Sequence, residues 1–297
     1  LSAVLQRGWA ESTLALYSSA LKRFSDFCDK ENVPILARLP ASEYLLCVYA
    51  ASFAGIFARS SVQNLLSAVR AWHIVEGAHW HGGVRLVYVL NGLDSFAPAS
   101  SKRPARVPVT RAMLDMLYDR LSLSDPFDVC VLACATVAFW SQSRLGELLS
   151  HSRVSFHATK IPRRLDLANP STTNGSRVLR YPWTKTKRSK GDTVLITRQI
   201  GRCDPISALA NHLSINYIPD EYPLFSYRTT SSQLSFLTKS DFMGRCNAIW
   251  CAAGFPPSSG HAFRIGGTTE LLLSGVPPDV VKTMGRWSSD SFLRYWR

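Results

Sequence analysis

The sequence contains no uninterrupted apolar run of about 18 residues, the length a helix needs to cross a bilayer, so no membrane-spanning segment is predicted. Its opening stretch, LSAVLQRGWAESTLALYSS, lacks the basic, apolar and small-residue order of a secretion signal, and a soluble, intracellular, non-secreted protein is expected. Zinc-ligand spacing is also missing. The seven cysteines are odd in number and scattered, and Cys130 and Cys134 lie one helical turn apart on an apolar run, as buried thiols would. His79-Trp80-His81 is the nearest thing to a metal pattern and reads as a turn at a helix end, so no metal or other cofactor is expected. Internal repeats and low-complexity tracts are absent. What is there is globular: 297 residues, 46% apolar and 19% charged, long enough for two domains with real cores.

Acidic charge is the other scarcity. Lys and Arg total 34 against 21 Asp and Glu, for a net charge of +13. The first hundred residues carry 8 basic and 7 acidic side chains, the second hundred 17 and 7, the remainder 9 and 7. A basic excess concentrated in the middle third calls for a polyanion, and nucleic acid leads because phosphate neutralisation drives most non-specific affinity. A solvated basic face is the plainer reading.

Helical spacing begins early. Leu14, Tyr17, Leu21, Phe24, Phe27 and Cys28 recur at intervals of three and four, with Ser12 or Thr13 placed to cap. ASEYLLCVYAASFA and SSVQNLLSAVRAWHIVEG follow, each with serine as N-cap and the second closing at Gly77. FAPASSKRPARVPVT (residues 96–110) holds three prolines and three basic residues; it cannot continue a helix and marks a domain boundary. Helices are then predicted at RAMLDMLYDRL and PFDVCVLACATVAFWSQSRLGELLS, the latter so apolar that it belongs in the core. VSFHAT, RVLRYPWT and DTVLITR read as two or three antiparallel strands. Helical periodicity returns in PISALANHLSINY, KSDFMGRCNAIWCAAGF, HAFRIGGTTELLLSG, PPDVVKTMGRW and SDSFLRYWR.

Several residues could carry chemistry. Arg144 follows the most apolar helix, with Glu147 three residues on: a surface ion pair, or a guanidinium held by a carboxylate and aimed at a phosphate. His261 and Arg264 share the first turn of a predicted helix, where free backbone N–H groups already favour an anion. Lys185, Lys187, Arg188 and Lys190 sit near a hairpin tip, as a solvated turn, a targeting signal, or a mobile lysine reaching a leaving group. Tyr295, in GRWSSDSFLRYW, is an aromatic plug or a nucleophile.

The order Arg, hairpin Lys, His-x-x-Arg, Gly-Arg-Trp, Tyr resembles the catalytic domain of the tyrosine recombinases, the phage integrase superfamily. GHAFRIGGTTELLLSGVPPDVVKTMGRWSSDSFLRYWR looks most like the recombinases of eukaryotic Crypton and DIRS-type mobile elements. The resemblance is dense over residues 260–297, local at SRLGELL and the hairpin, and architectural over residues 1–100.

It implies a mainly α fold with a small antiparallel sheet, arranged as a two-domain DNA clamp. Residues 1–97 would be a helical, SAM-like core-binding domain, 98–108 a basic Pro-rich linker and 109–297 the α/β catalytic domain. Tyr295 would attack a scissile phosphate to give a 3′-phosphotyrosyl bond, and Arg144 and Arg264 would hold the non-bridging oxygens. His261 would take the tyrosine proton or hold the phosphate, Lys185 would protonate the leaving 5′-hydroxyl, and Glu147 would orient an arginine. At the family's His or Trp position, register gives Arg286 and residue type gives Trp287. Lys102, Arg103, Arg106, Lys187, Arg188 and Lys190 would bind DNA. The expected activity is site-specific recombination on double-stranded DNA without ATP or metal, by a homotetramer with a dimer on each site, serving mobile-element integration or excision. Many relatives continue past the tyrosine into a helix that docks on a neighbouring subunit, so with Arg297 two residues beyond Tyr295 the chain is either trimmed or assembles otherwise. No small-molecule substrate is expected, and a eukaryotic element would place the protein in the nucleus. A DNA-binding protein with this fold but no turnover, and type IB topoisomerase-like relaxation, are the alternatives.

Overall fold

The computed structural model describes residues 8–9, 11–101, 106–154, 156–185 and 187–296. The chain divides into two compact units, Leu1–Ala105 and Arg106–Arg297.

Among its described residues the first unit holds four α-helices: α1 (Glu11–Lys30), α2 (Glu43–Ala51), α3 (Arg59–Glu76) and α4 (Val84–Phe96). Phe24, Leu46, Tyr49, Val62, Leu66, Val69, Leu90 and Leu93 form its core. Ser42 caps α2 by accepting from the Leu45 N–H at 3.2 Å, and Gly77 ends α3 in the left-handed region at φ 69°. Two expected caps differ. Ser12 and Thr13 lie inside α1, and α3 starts at Arg59 because its first turn closes on the Ala58 carbonyl, to which Ser61 N–H donates at 2.9 Å. The helix α4 has no counterpart in the sequence reading. His73 is fully buried as a neutral ring: Nε2 accepts from Ala41 N–H at 2.9 Å and Nδ1 meets Val69 O at 2.8 Å.

In the second unit α5 (Arg111–Arg120) leads to α6 (Pro126–Trp140), and α7 (Leu145–Leu148) follows a break. From Asp128 to its end α6 is buried all round, which fits its nearly unbroken apolar sequence. The hairpin of β1 (Arg177–Tyr181) and β2 (Asp192–Ile196) pairs Arg177 with Ile196 and Tyr181 with Asp192. Its inward positions, Leu179, Tyr181, Val194 and Ile196, join the core. Next come α8 (Pro205–Asn216), a short hairpin of β3 (Ser226–Arg228) and β4 (Leu234–Phe236), α9 (Lys239–Ala252), α10 (His261–Leu273) and α11 (Pro278–Met284). The architecture is mainly helical with small antiparallel sheets.

Three sequence expectations fail locally. The described residues of VSFHAT form no strand, while β3 and β4 were not foreseen, being only three residues each. SQSRLGELL does not extend α6, because Gln142 turns left-handed at φ 50°. Asp290–Tyr295 is a 3₁₀ helix rather than an α-helix.

The pair Gly266-Gly267 sets how closely α10 can approach. A Cβ at Gly266 would collide with the Val109 carbonyl oxygen, and one at Gly267 with the Phe139 carbonyl oxygen near the end of α6. The backbones therefore touch, and that contact brings the first turn of α10 to the α6 terminus. Replacing Gly267 with Ala is expected to destabilise the protein by about 1–3 kcal/mol, the usual cost of overpacking. Gly244→Ala on α9, where an added Cβ meets nothing within 4 Å, should instead stabilise by about 0.5–1 kcal/mol through lower unfolded-chain entropy. Thermal or urea denaturation of both variants checks the pair.

Candidate active site

Two helix ends build the site. At the end of α6, Gln142 N–H donates to Phe139 O at 3.0 Å and Ser143 N–H to Ala138 O at 2.9 Å. At the end of α11, Arg286 N–H donates to Thr283 O and Trp287 N–H to Lys282 O, both at 3.0 Å. Each is a Schellman closure, whose left-handed residue is ordinarily glycine. Here those residues are Gln142 at φ 50° and Arg286 at φ 55°. Both turn their side chains into one cluster.

At its centre is Arg264, fully buried on the first turn of α10. Its Nη1 donates to Gln142 O, its Nη2 donates to Gly285 O at 2.7 Å, and its Nε is enclosed without a partner. No carboxylate pairs with it among the described residues. Its acceptors are carbonyls at the C-terminal ends of α6 and α11, which carry the negative pole of each helix. Burial, and then the Arg144 charge, push its pKa down to about 9.

Glu147 organises the other two guanidiniums. Its Oε1 accepts from Arg144 Nη1 at 3.0 Å, and its Oε2 accepts from Arg144 N–H at 3.2 Å and from Arg286 Nη2 at 2.7 Å. The pair is not a surface one, since Glu147 is only 2% exposed. Arg144 caps α7 and keeps about a third of its side chain in solvent. Arg286 stacks over the Tyr181 ring at 4.5 Å, and Tyr181 Oη bonds Ser143 Oγ at 2.5 Å, so the root of the β1–β2 hairpin is fixed to the same cluster.

Trp287 covers the Arg264 guanidinium at 3.8 Å from its ring centroid, and its Nε1 donates to Gln142 Oε1 at 3.2 Å. The Tyr295 ring lies 6.0 Å from that of Trp287, with Arg294 Cζ 5.7 Å from the phenol centroid. Thr269 Oγ1 donates to the Tyr295 carbonyl at 3.3 Å, tying the 3₁₀ turn to α10. Register and residue type thus both lead into the cluster, but to different contacts: Arg286 meets Glu147, Trp287 meets Arg264. His261 has its pKa pushed down to about 4, by burial first and then by Arg106, Arg264, Arg144 and Arg294. It is neutral at pH 7 and able to accept a proton. Three guanidiniums share the cluster with one carboxylate, and two more arginines act on His261, so its net positive charge favours an anion.

The structure brings together Arg144, Glu147, His261, Arg264, Arg286, Trp287 and Tyr295. It does not join Lys185 to them by any hydrogen bond, ion pair or ring contact. Lys185 is exposed on the hairpin loop, four residues beyond Tyr181, which gives its backbone a reach of roughly 13 Å from that anchor. Lys187 pairs with Asp192 at 3.0 Å, Arg188 bridges to Thr184 through its backbone, and Lys190 is exposed. Arg106 is exposed, whereas Lys102 and Arg103 lie outside the described residues. Gln142, Tyr181, Ser143 and Thr268 were not foreseen. The available signals were slight: a polar SQS triplet closing an apolar helix, and Thr268 four residues after Arg264 on one helix face, its hydroxyl donating to Gln142 Oε1 at 2.8 Å.

No family model matches the chain, and no curated protein matches it in sequence. Solved structures do share its fold. XerH site-specific recombinase bound to palindromic difH substrate aligns with a TM-score of 0.64 at 14% identity, covering 99% of this chain and 80% of that one. A lambda integrase dimer bound to a COC′ core site aligns at 0.61 and 15%, covering 100% and 92%. The Tn1549 transposon integrase in complex with transposon right end DNA aligns at 0.55 and 13%, covering 96% and 94%. The chain has the fold of these recombinases and integrases.

The charge around His261 yields a measurable titration. Its imidazole should be half-protonated at about pH 4 by NMR, and inorganic phosphate should raise that value by offsetting the arginines. Below pH 6.5 the unfolded chain binds a proton that the folded chain does not, so stability falls from pH 6.5 down to about 4 and no further on this account. His73 and His212, also lowered by burial, titrate in the same direction. The difference between wild type and His261→Gln isolates the His261 share.

Proposed function

We propose that this protein cuts and rejoins double-stranded DNA by transesterification through Tyr295, as a site-specific recombinase. The observation that carries the reading is the convergence of Arg144, Arg264 and neutral His261 with Tyr295, in a cluster with more positive than negative charge. Tyr295 Oη attacks the scissile phosphorus and its proton passes to His261. The bond to the 5′-oxygen breaks, and that oxygen takes a proton from Lys185 on the hairpin. Arg144 and Arg264 stabilise the charge gathering on the non-bridging oxygens. Of the three guanidiniums Arg144 is the most open to solvent and meets the phosphate first, with Arg264 held behind it beneath Trp287. Glu147 holds Arg144 in place, and Arg286 braces Glu147. Reversal of the same step rejoins the strand, because the phosphotyrosyl bond retains the energy of the one that was cut.

The fold shared with recombinases and integrases solved on DNA supports this reading. Residues 1–97 serve as the core-binding domain and 109–297 as the catalytic domain, and Lys102, Arg103, Arg106, Lys187, Arg188 and Lys190 meet backbone phosphates. A tetramer on two sites, a role in mobile-element integration or excision of the Crypton or DIRS kind, and nuclear action complete the proposal.

A nicked suicide duplex carrying the terminal sequences of the host element should trap a denaturant-stable protein–DNA adduct. Tyr295→Phe should abolish the adduct while duplex binding persists, and Arg264→Ala should slow it by about 10²–10³-fold, the scale of losing one preorganised donor. Adduct formation by the Phe variant would show that another residue is the nucleophile. Strong binding without an adduct in wild type would leave a DNA-binding protein without turnover, and relaxation of supercoils without partner exchange would select the topoisomerase activity. Tyr295 lies against its own chain's Trp287, so mixing Tyr295→Phe with Arg264→Ala protein should not restore cleavage.

A further inference from the structure

We infer that Gln142 is a positioning residue of this site, fixing Trp287 over Arg264 and thereby seating Tyr295. The inference rests on the DNA-cleaving reading above for its effect on rate, but its structural half stands apart from it.

Gln142 is wholly buried and left-handed at the end of α6, where a residue with a Cβ is disfavoured and glycine is the usual occupant. Such conformations persist where surrounding contacts enforce them. Its backbone carbonyl accepts from Arg264 Nη1. Its Oε1 accepts from both Thr268 Oγ1 at 2.8 Å and Trp287 Nε1 at 3.2 Å, and its Nε2 donates to Val281 O at 3.3 Å. One residue therefore holds the arginine by its main chain and the ring covering that arginine by its side chain. It also grips α11, which carries Trp287 towards Tyr295. Glycine would satisfy the turn but could make none of the side-chain bonds. The side chain touches neither Tyr295 nor any group given a role in the chemistry except through Trp287, so its influence on reaction is indirect.

Two variants separate the roles. Gln142→Met keeps the volume and removes the amide; Gln142→Gly relieves the left-handed backbone and removes the whole side chain. The Trp287 indole N–H resonance, assigned by its loss in Trp287→Phe, should move upfield in both variants. Adduct formation on the suicide duplex should fall by about 10-fold to 100-fold, the scale of a misplaced reacting group, with duplex affinity unchanged. Trp287→Phe combined with Gln142→Met should be no slower than the slower single variant, since the Trp287–Gln142 bond is already lost in each. An unmoved indole resonance, a fully additive double variant, or cleavage at or above the wild-type rate would each overturn the inference, the last by showing that the bond latches the site shut. If wild type forms no adduct, the functional reading falls while the indole resonance still decides whether Gln142 holds Trp287.

Discussion

The buried carboxylate of Glu147 is the interaction on which the site depends. Removing a carboxylate from water costs several kcal/mol unless cations and hydrogen bonds replace the solvent. Glu147 meets that demand with Arg144 from the start of its own helix and Arg286 from 139 residues further along the chain. The ion pair thus fastens the C-terminal turn, with Trp287 and Tyr295, to the middle of the second unit. It also lets three guanidiniums share a small volume that their mutual repulsion would otherwise open.

A division of labour follows from burial. Arg144 is partly open, Arg264 is sealed and Arg286 is spent on Glu147 and the Tyr181 ring. Similar residues in one cluster therefore have different access to an incoming anion. The hairpin is held at its root by Tyr181, while Lys185 is exposed on the loop beyond.

Much of the fold could be read from apolar spacing. The helix α6 was evident because its run of Val, Cys, Leu, Ala and Phe has no polar face, and α10 because Ile265 and Leu272, seven residues apart, lie on one apolar face. The Arg, His and Tyr residues of the cluster could be named because their order along the chain resembled a known set, not because any single motif required it. Gln142 was invisible for a physical reason. A glutamine after an apolar helix has no propensity for the left-handed turn it makes, and the bonds that justify it come from Thr268, Val281 and Trp287, far away in sequence. The choice between Arg286 and Trp287 dissolved similarly, since adjacent residues on a tight turn can face different partners. The strand expected at VSFHAT failed because β-branched and aromatic composition records a fit to half-buried surfaces, and no neighbouring strand offers the described residues a pairing edge.

Arg264 owes its counter-charge to main-chain carbonyls where α6 and α11 end. Helix poles of roughly half a charge each can offset a guanidinium in the interior. An amide carbonyl does not titrate at any pH a folded protein survives, and no competing base can withdraw it. The site thus behaves as an electret, a polarisation frozen into the backbone that acid cannot discharge. Its polarity is inherited from the chain path itself, and any change of side chain that preserves those two helix ends preserves it.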